Sequence, residues 1–381
     1  EVVQRYGNGV PYHPSSPRFG RGDARSLSEG DCHYWGVWHD GQPFEVFLDR
    51  TGRFMSEFGF QSFPDPATIA SFAPEDETDE DSPSISCHQK HPRGNSLIRE
   101  YMARDFPEPA DFDDLVYLSQ LLQARGVSMG IEAQRRAAPF CMGSLYWQLN
   151  DCWPAVSWSS IDYTGRRKAL YYEAKRAFAP VLISPVVEDG RFRVYLIDDR
   201  SISEADDRID GELIIETIGL EGLPRTETRV TGLVPSTIGP CFETDLEAVC
   251  LPSGVGSTLI RLTLTTGEKT SPVRLPPPRP IPPRTIAERL FFPAAPKEMA
   301  LPDPGLTVTV REAKDGYAIL LESGNLARGV YLSFGETAGV FSDNWFDMAP
   351  GTGKTVSFVT RSRIEDPSSC LRVRTLYDTL R

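Results

Sequence analysis

The chain has 381 residues, 40% of them hydrophobic and 10% aromatic, enough for two or three domains with proper cores. A net charge of −13 and an isoelectric point near 5.0 argue against nucleic acid as a partner, since phosphates call for a basic face. No apolar run reaches the roughly eighteen residues that a membrane helix needs, and the start at Glu1 points to an excised piece whose missing leader says little about export.

Residues 1–30 are rich in Pro, Ser and Gly and read as loop. In His33–Asp40 (HYWGVWHD), Trp35, Trp38 and His39 are expected on a loop, where aromatic rings can stack on sugar faces or pack a rim. Arg53–Ser62 (RFMSEFGFQS) places the carboxylate of Glu57 in a short apolar run that Gly59 ends. In a strand Glu57 points where Met55 points. That placement fits a catalytic carboxylate at a barrel strand end or a structural ion pair with Arg53.

Asp65–Phe72 reads as a short helix, and the acidic run Glu75–Asp81 as a solvated loop without calcium-ligand spacing. His88 and His91 have a spacing zinc could use, but no second ligand pair follows, so no metal is expected and substrate-side contacts are preferred. Asp111–Arg136 has a capping Asp111, acidic Asp113 and Asp114 at its start, and apolar residues at helical spacing, with Gly126 and Gly130 expected to weaken or divide it. Pro139–Leu149 reads as a strand with Cys141, Gly143, Leu145 and Trp147 on one face, making Trp147 the candidate floor of a binding site at the strand's end. Asn150, Asp151 and Trp153 follow on a loop suited to binding hydroxyls, and Gly165–Pro180 is a helix with Leu170, Ala174 and Ala177 inward.

From about Ile183 the pattern changes to short β-rich runs at 191–197, 212–220 and 257–264, the mark of an antiparallel sandwich. Leu275–Arg284 is proline-dense and reads as a boundary or edge excursion. A second set of strands begins near Leu301. The seven cysteines lack CxxC spacing and are expected mostly free, with Cys241–Cys250 the one conceivable hairpin pair. No Asn-x-Ser/Thr acceptor occurs, which favours a bacterial cytoplasmic enzyme over a glycosylated secreted one.

Three long motifs, His33–Phe47, Arg53–Pro64 and Gly143–Tyr172, occur in the order found in the β-mannosidases of glycoside hydrolase family 2, which the chain resembles. His88–Asn95, Tyr117–Gly126 and Phe341–Gly351 extend the resemblance, and only about 186–300 match loosely. The resemblance implies that Glu57 is the nucleophile of a retaining exo-β-mannosidase and that Trp147 lines the subsite of the non-reducing sugar. Trp38, His39 and Asn150 are the further substrate-binding candidates, with β-mannosides as substrate, no cofactor, and no expectation for oligomeric state. The implied fold is α/β plus all-β: a partial (β/α)8 barrel over 1–183, then two antiparallel immunoglobulin-like β-sandwiches over 184–300 and 301–381. In the family the acid/base is a Glu after Asn on an earlier strand, and this sequence has no Asn-Glu dipeptide. Other exo-glycosidases of the same family, or a non-catalytic carbohydrate-binding fragment, are the rival readings.

Overall fold

The computed structural model describes residues 1–77, 79–200, 211–233, 239–266, 269–270, 280–281 and 284–380. After a five-residue helix, α1 (Val2–Tyr6), the chain runs mostly as loop to residue 31. β1 (Cys32–His33) then pairs in parallel with β2 (Met55–Glu57), and two single-turn helices, α2 (Gly36–His39) and α3 (Val46–Asp49), lie between them. Met55 and Ser144 form a parallel bridge on the other side of β2. There the N–H groups of Met142 and Leu145 donate to the carbonyls of Arg53 and Met55, and Met55 N–H donates to Gly143.

The strand expected over Pro139–Leu149 is therefore extended chain carrying one bridge. Pro139 has no N–H to give, and among the described residues the ladder bonds of 142–147 run to the β2 segment alone. Even so, three parallel segments lie side by side as in part of a (β/α)8 barrel.

Helices α4 (Pro66–Ala70), α5 (Pro83–Cys87), α6 (Gly94–Asp105), α7 (Phe112–Arg136) and α8 (Ala169–Ala177) accompany these segments. The side chains of Asp65 and Asp111 cap α4 and α7 by accepting from Ala67 N–H and Asp114 N–H. Contrary to expectation, α7 is unbroken through Gly126 and Gly130. A Cβ at Gly126 would lie 2.1 Å from the Phe44 ring, and one at Gly130 2.8 Å from the Phe58 ring. The glycines admit aromatic rings to the helix surface, so close packing offsets their poor helix propensity.

Two antiparallel sandwiches follow. In the first, β3 (Val181–Glu188), β4 (Arg191–Asp198) and β7 (Phe242–Asp245) form one sheet. The other has β5 (Gly211–Gly219), β6 (Arg225–Val230), β8 (Thr258–Thr266) and β11 (Thr285–Phe291), in the order β11-β8-β5-β6. Alternating Phe192, Val194 and Leu196 meet Leu213, Ile215, Ile260, Leu262 and Leu264 between the sheets. A two-residue pair, β9 (Lys269–Thr270) with β10 (Pro280–Ile281), lies at the proline-dense segment, the rest of which, apart from Arg284, falls outside the described residues.

The second sandwich sets β12 (Thr307–Ala313), β13 (Gly316–Glu322), β17 (Gly353–Val359) and β15 (Val340–Phe341) against β16 (Phe346–Met348), β14 (Ala327–Ser333) and β18 (Arg372–Arg374). A single-turn helix, α9 (Pro367–Cys370), precedes β18. Its core is continuous with that of the helical part. Tyr117 of α7 stacks on Trp345 with centroids 5.3 Å apart and donates to Gly329 O at 2.8 Å. All seven cysteines are free thiols, so Cys241 and Cys250 are not bridged. No described helix is long and apolar enough to cross a membrane.

Candidate active site

Glu57 ends β2, and the parallel register sets it directly beside His33 of β1. Its Oε2 lies 3.2 Å from His33 Nδ1 and accepts from Trp35 Nε1–H at 3.2 Å. Arg53, the partner weighed from sequence, instead lies over the Phe140 ring. The Glu57 side chain keeps 27% of its surface open. It is thus held by two neighbours while remaining reachable, an arrangement suited to a reacting group.

Aromatic residues build the walls. Trp35 packs against His39 (5.6 Å between centroids) and edge-on against Trp158 (6.2 Å), so His39 sits one ring away from Glu57. His39 also faces His91 at 5.6 Å. Burial pushes both imidazoles below their ordinary value; nearby Arg21 adds to this for His39, as does Arg93 for His91. Neutral imidazoles can both give and take hydrogen bonds with sugar hydroxyls.

The Trp147 backbone N–H donates to Phe58 O, which fixes it beside the end of β2, and the residue is 43% exposed. Gly59 permits this approach, because a Cβ there would meet Trp147 O at 2.2 Å. The Trp147–Gln148 peptide is cis. Exposed Asn150 follows, with its carbonyl accepting from Gln148 Nε2 at 2.8 Å. Asp151 is buried and bonded by Ser157 Oγ–H at 2.6 Å.

Trp38 is placed differently from the open-faced ring its candidacy requires. It is 0% exposed, edge-on to Phe60, His91 and Trp158. The one turn of α2 rotates residue 38 toward the core while Trp35, at the helix start, stays over β2. Sequence reasoning counted Trp35 among the aromatic cluster and missed it and His33 as partners of Glu57. Their signal was positional, since His33 ends the short strand that pairs in parallel with the carboxylate's own strand and Trp35 follows just after it. His88 serves as structure, stacked between Phe72 and Trp153 at 4.0 and 4.3 Å with Nδ1 2.6 Å from Pro154 O. Among the described residues, no group of three or more His, Cys, Asp or Glu is placed to hold a metal.

Beneath the site, Lys168 is fully buried and donates from Nζ to Ser62 O (3.2 Å) and Ser157 O (3.3 Å). It thereby ties the chain after Glu57 to the loop after Trp147. Burial pulls its ammonium down to about 7, with Asp151 and Asp162 opposing that shift.

Comparison with known proteins bears on this geometry. Residues 301–379 match the Ig-fold domain family Ig_mannosidase. β-Mannosidase B of Aspergillus terreus is 30% identical over 368 residues, covering 94% of this chain and 42% of the relative. The crystal structure of a β-D-mannosidase from Dictyoglomus thermophilum aligns with a TM-score of 0.78 at 28% identity, over 98% of this chain and 43% of that one. An exo-chitosanase from Amycolatopsis orientalis, at 18% identity and a TM-score of 0.60 over 88% of this chain and 44% of that one, shares the fold. The chain thus spans about two fifths of the length of the relatives it matches.

Proposed function

We propose, from the premise that this chain corresponds to the C-terminal portion of a β-mannosidase of glycoside hydrolase family 2, that the enzyme containing it removes terminal non-reducing β-D-mannose with retention of configuration, using Glu57 as nucleophile. The observation that carries this reading is the Glu57 carboxylate: held through Oε2 by His33 and Trp35, still open to a substrate, and flanked by aromatic rings.

A Glu57 oxygen attacks the anomeric carbon as the glycosidic C–O bond breaks, and the departing oxygen takes a proton from a second carboxyl group. Water then cleaves the sugar–Glu57 ester, with that second group accepting its proton. In this reading the second group is the Glu of an Asn-Glu pair, a dipeptide absent from these 381 residues, and the carboxylates nearby have structural partners. Asp31 is bonded to Ser16 and Ser56, and Asp151 to Ser157. Glu132 accepts from Arg289 and Ser184 of the first sandwich. Trp147 is the platform for the apolar face of the sugar, with His39 and Asn150 as hydroxyl partners; Trp38 supports the site from behind.

The test is Glu57→Gln in the intact enzyme, where the amide keeps the shape and loses the nucleophile. Turnover of an aryl β-mannoside should fall by about 10⁴-fold or more with the melting temperature preserved. Glu57→Gly with added azide should yield a mannosyl azide. Near-wild-type hydrolysis by the Gln variant would falsify the assignment.

A further inference from the structure

The hydrogen bonds around His33 continue past Glu57. His33 Nε2 lies 3.2 Å from Ser16 Oγ, and the Ser16 hydroxyl donates to Asp31 Oδ2 at 2.6 Å. On the other side of the ring, Nδ1 faces the Glu57 carboxylate, which only accepts. The imidazole thus spans Ser16 and Glu57 through its two nitrogens.

Asp31 anchors the far end, also accepting from Ser56 Oγ at 2.9 Å and Arg18 N–H at 2.8 Å. Burial opposes its charge, but these bonds outweigh burial and hold its carboxyl below the usual range. Asp31 and His33 lie on either side of Cys32, and the pairing with β2 shifts register between Cys32 and His33, so Asp31 meets Ser56 while His33 meets Glu57. Ser56 and Glu57 are adjacent on β2, so both ends of the chain of bonds fasten to the nucleophile strand.

We propose that Asp31, Ser16 and His33 form a positioning relay that, with Trp35, fixes Glu57 through Oε2 and leaves Oε1 as the atom that attacks the sugar. Glu57 Oε1 has no hydrogen bond among the described residues, whereas Oε2 has two neighbours that donate. When Oε1 forms its bond to the anomeric carbon, Oε2 becomes the carbonyl oxygen of the ester and keeps both donors. The relay thus restrains rotation of the carboxylate through attack and ester cleavage without any change of partner. His33 is here a positioning residue, and its role rests on the reading of Glu57 as nucleophile.

The experiment is a double-mutant cycle in the intact enzyme, with kcat and KM measured on an aryl β-mannoside. His33→Phe should lower kcat about 100-fold with KM within about threefold, the range seen when one preorganised donor is removed. Ser16→Ala alters an exposed side chain that touches neither Glu57 nor the sugar, so it leaves folding intact and should lower kcat about fivefold. The pair should be no worse than about twofold below His33→Phe alone, since Ser16 acts only through His33. Losses that multiply in full, or wild-type kcat for His33→Phe with Glu57→Gln inactive, overturn the relay and leave the nucleophile standing. Wild-type turnover by Glu57→Gln overturns both.

Discussion

At the scale of single residues, two tryptophans close in sequence role separate cleanly by burial. Trp147→Ala should reduce kcat/KM severely, with the melting temperature nearly unchanged, because an exposed ring has little core to lose. Trp38→Ala should instead destabilise by about 3 to 5 kcal/mol, the usual cost of emptying a large core site, read as a fall in melting temperature. The reverse pattern would exchange their roles. Glu57 stood out as a candidate in the sequence because a carboxylate inside FMSEFGF violates the local apolar pattern and so asks for a reason. His33 and Trp35 were not, since β1 is two residues long and carries no periodicity, and only the parallel register brings it to Glu57. Trp38 was indistinguishable from Trp35 by composition; the single turn of α2 decides which ring faces inward.

At the scale of elements, α7 was readable from its cap, its acidic first turn and its helical apolar spacing, while the effect of its glycines was not. Propensity alone predicts that Gly126→Ala stabilises a helix by nearly 1 kcal/mol. The Phe44 ring, 2.1 Å from the new Cβ, reverses this: Gly126→Ala should destabilise by roughly 1 to 3 kcal/mol in denaturant titration, as overpacked cores do. A stabilised variant would mean that the ring yields freely. Local pattern could not anticipate this, because the constraint comes from a residue about eighty positions away.

Lys168 makes a separate claim on the loop beside β2. Its folded-state value near 7 lies below its ordinary 10.5, so between those limits the unfolded chain binds a proton that the folded chain does not. Stability should therefore rise with pH across that window, by up to about 1.4 kcal/mol per unit from this group, and be flat in this respect below it. Lys168→Met should remove that slope in chemical denaturation series at pH 7 to 10. An unchanged slope would show that the ammonium finds solvent or a counter-ion.

At the scale of the whole molecule, the order of parts was legible and their fusion was not. Strand runs separated by turn residues announced the sandwiches, yet nothing local reports that the core of the second continues into that of α7 and α8, or that Tyr117 stacks on Trp345. The first sandwich is joined to the helices through charge: Arg289 of β11 donates to Glu173 of α8 and Glu132 of α7, each at 2.8 Å. Burial would raise the Glu173 carboxyl, but Arg289 and then Arg176 prevail and hold it at about 2. The stabilisation from that pairing is present above the ordinary carboxylate value of 4.5 and is lost as pH falls toward about 2. Arg289→Met leaves buried Glu132 and half-buried Glu173 short of a partner and should cost about 3 to 5 kcal/mol near neutral pH, with a shallower loss on acidification. A melting temperature like wild type would mean that the junction is held by packing alone.

The proposed catalysis draws on every scale together, and covalent labelling tests it directly. The intact enzyme is treated with a 2-deoxy-2-fluoro-β-mannosyl fluoride, whose slow turnover lets the glycosyl-enzyme accumulate, and the modified peptide is sequenced by mass spectrometry. The expected result is one fluoromannosyl group per chain, carried by Glu57 in the peptide containing RFMSEFGFQS. A label on any other carboxylate, or hydrolysis of the substrate with inversion and no covalent adduct, would contradict Glu57 as the nucleophile.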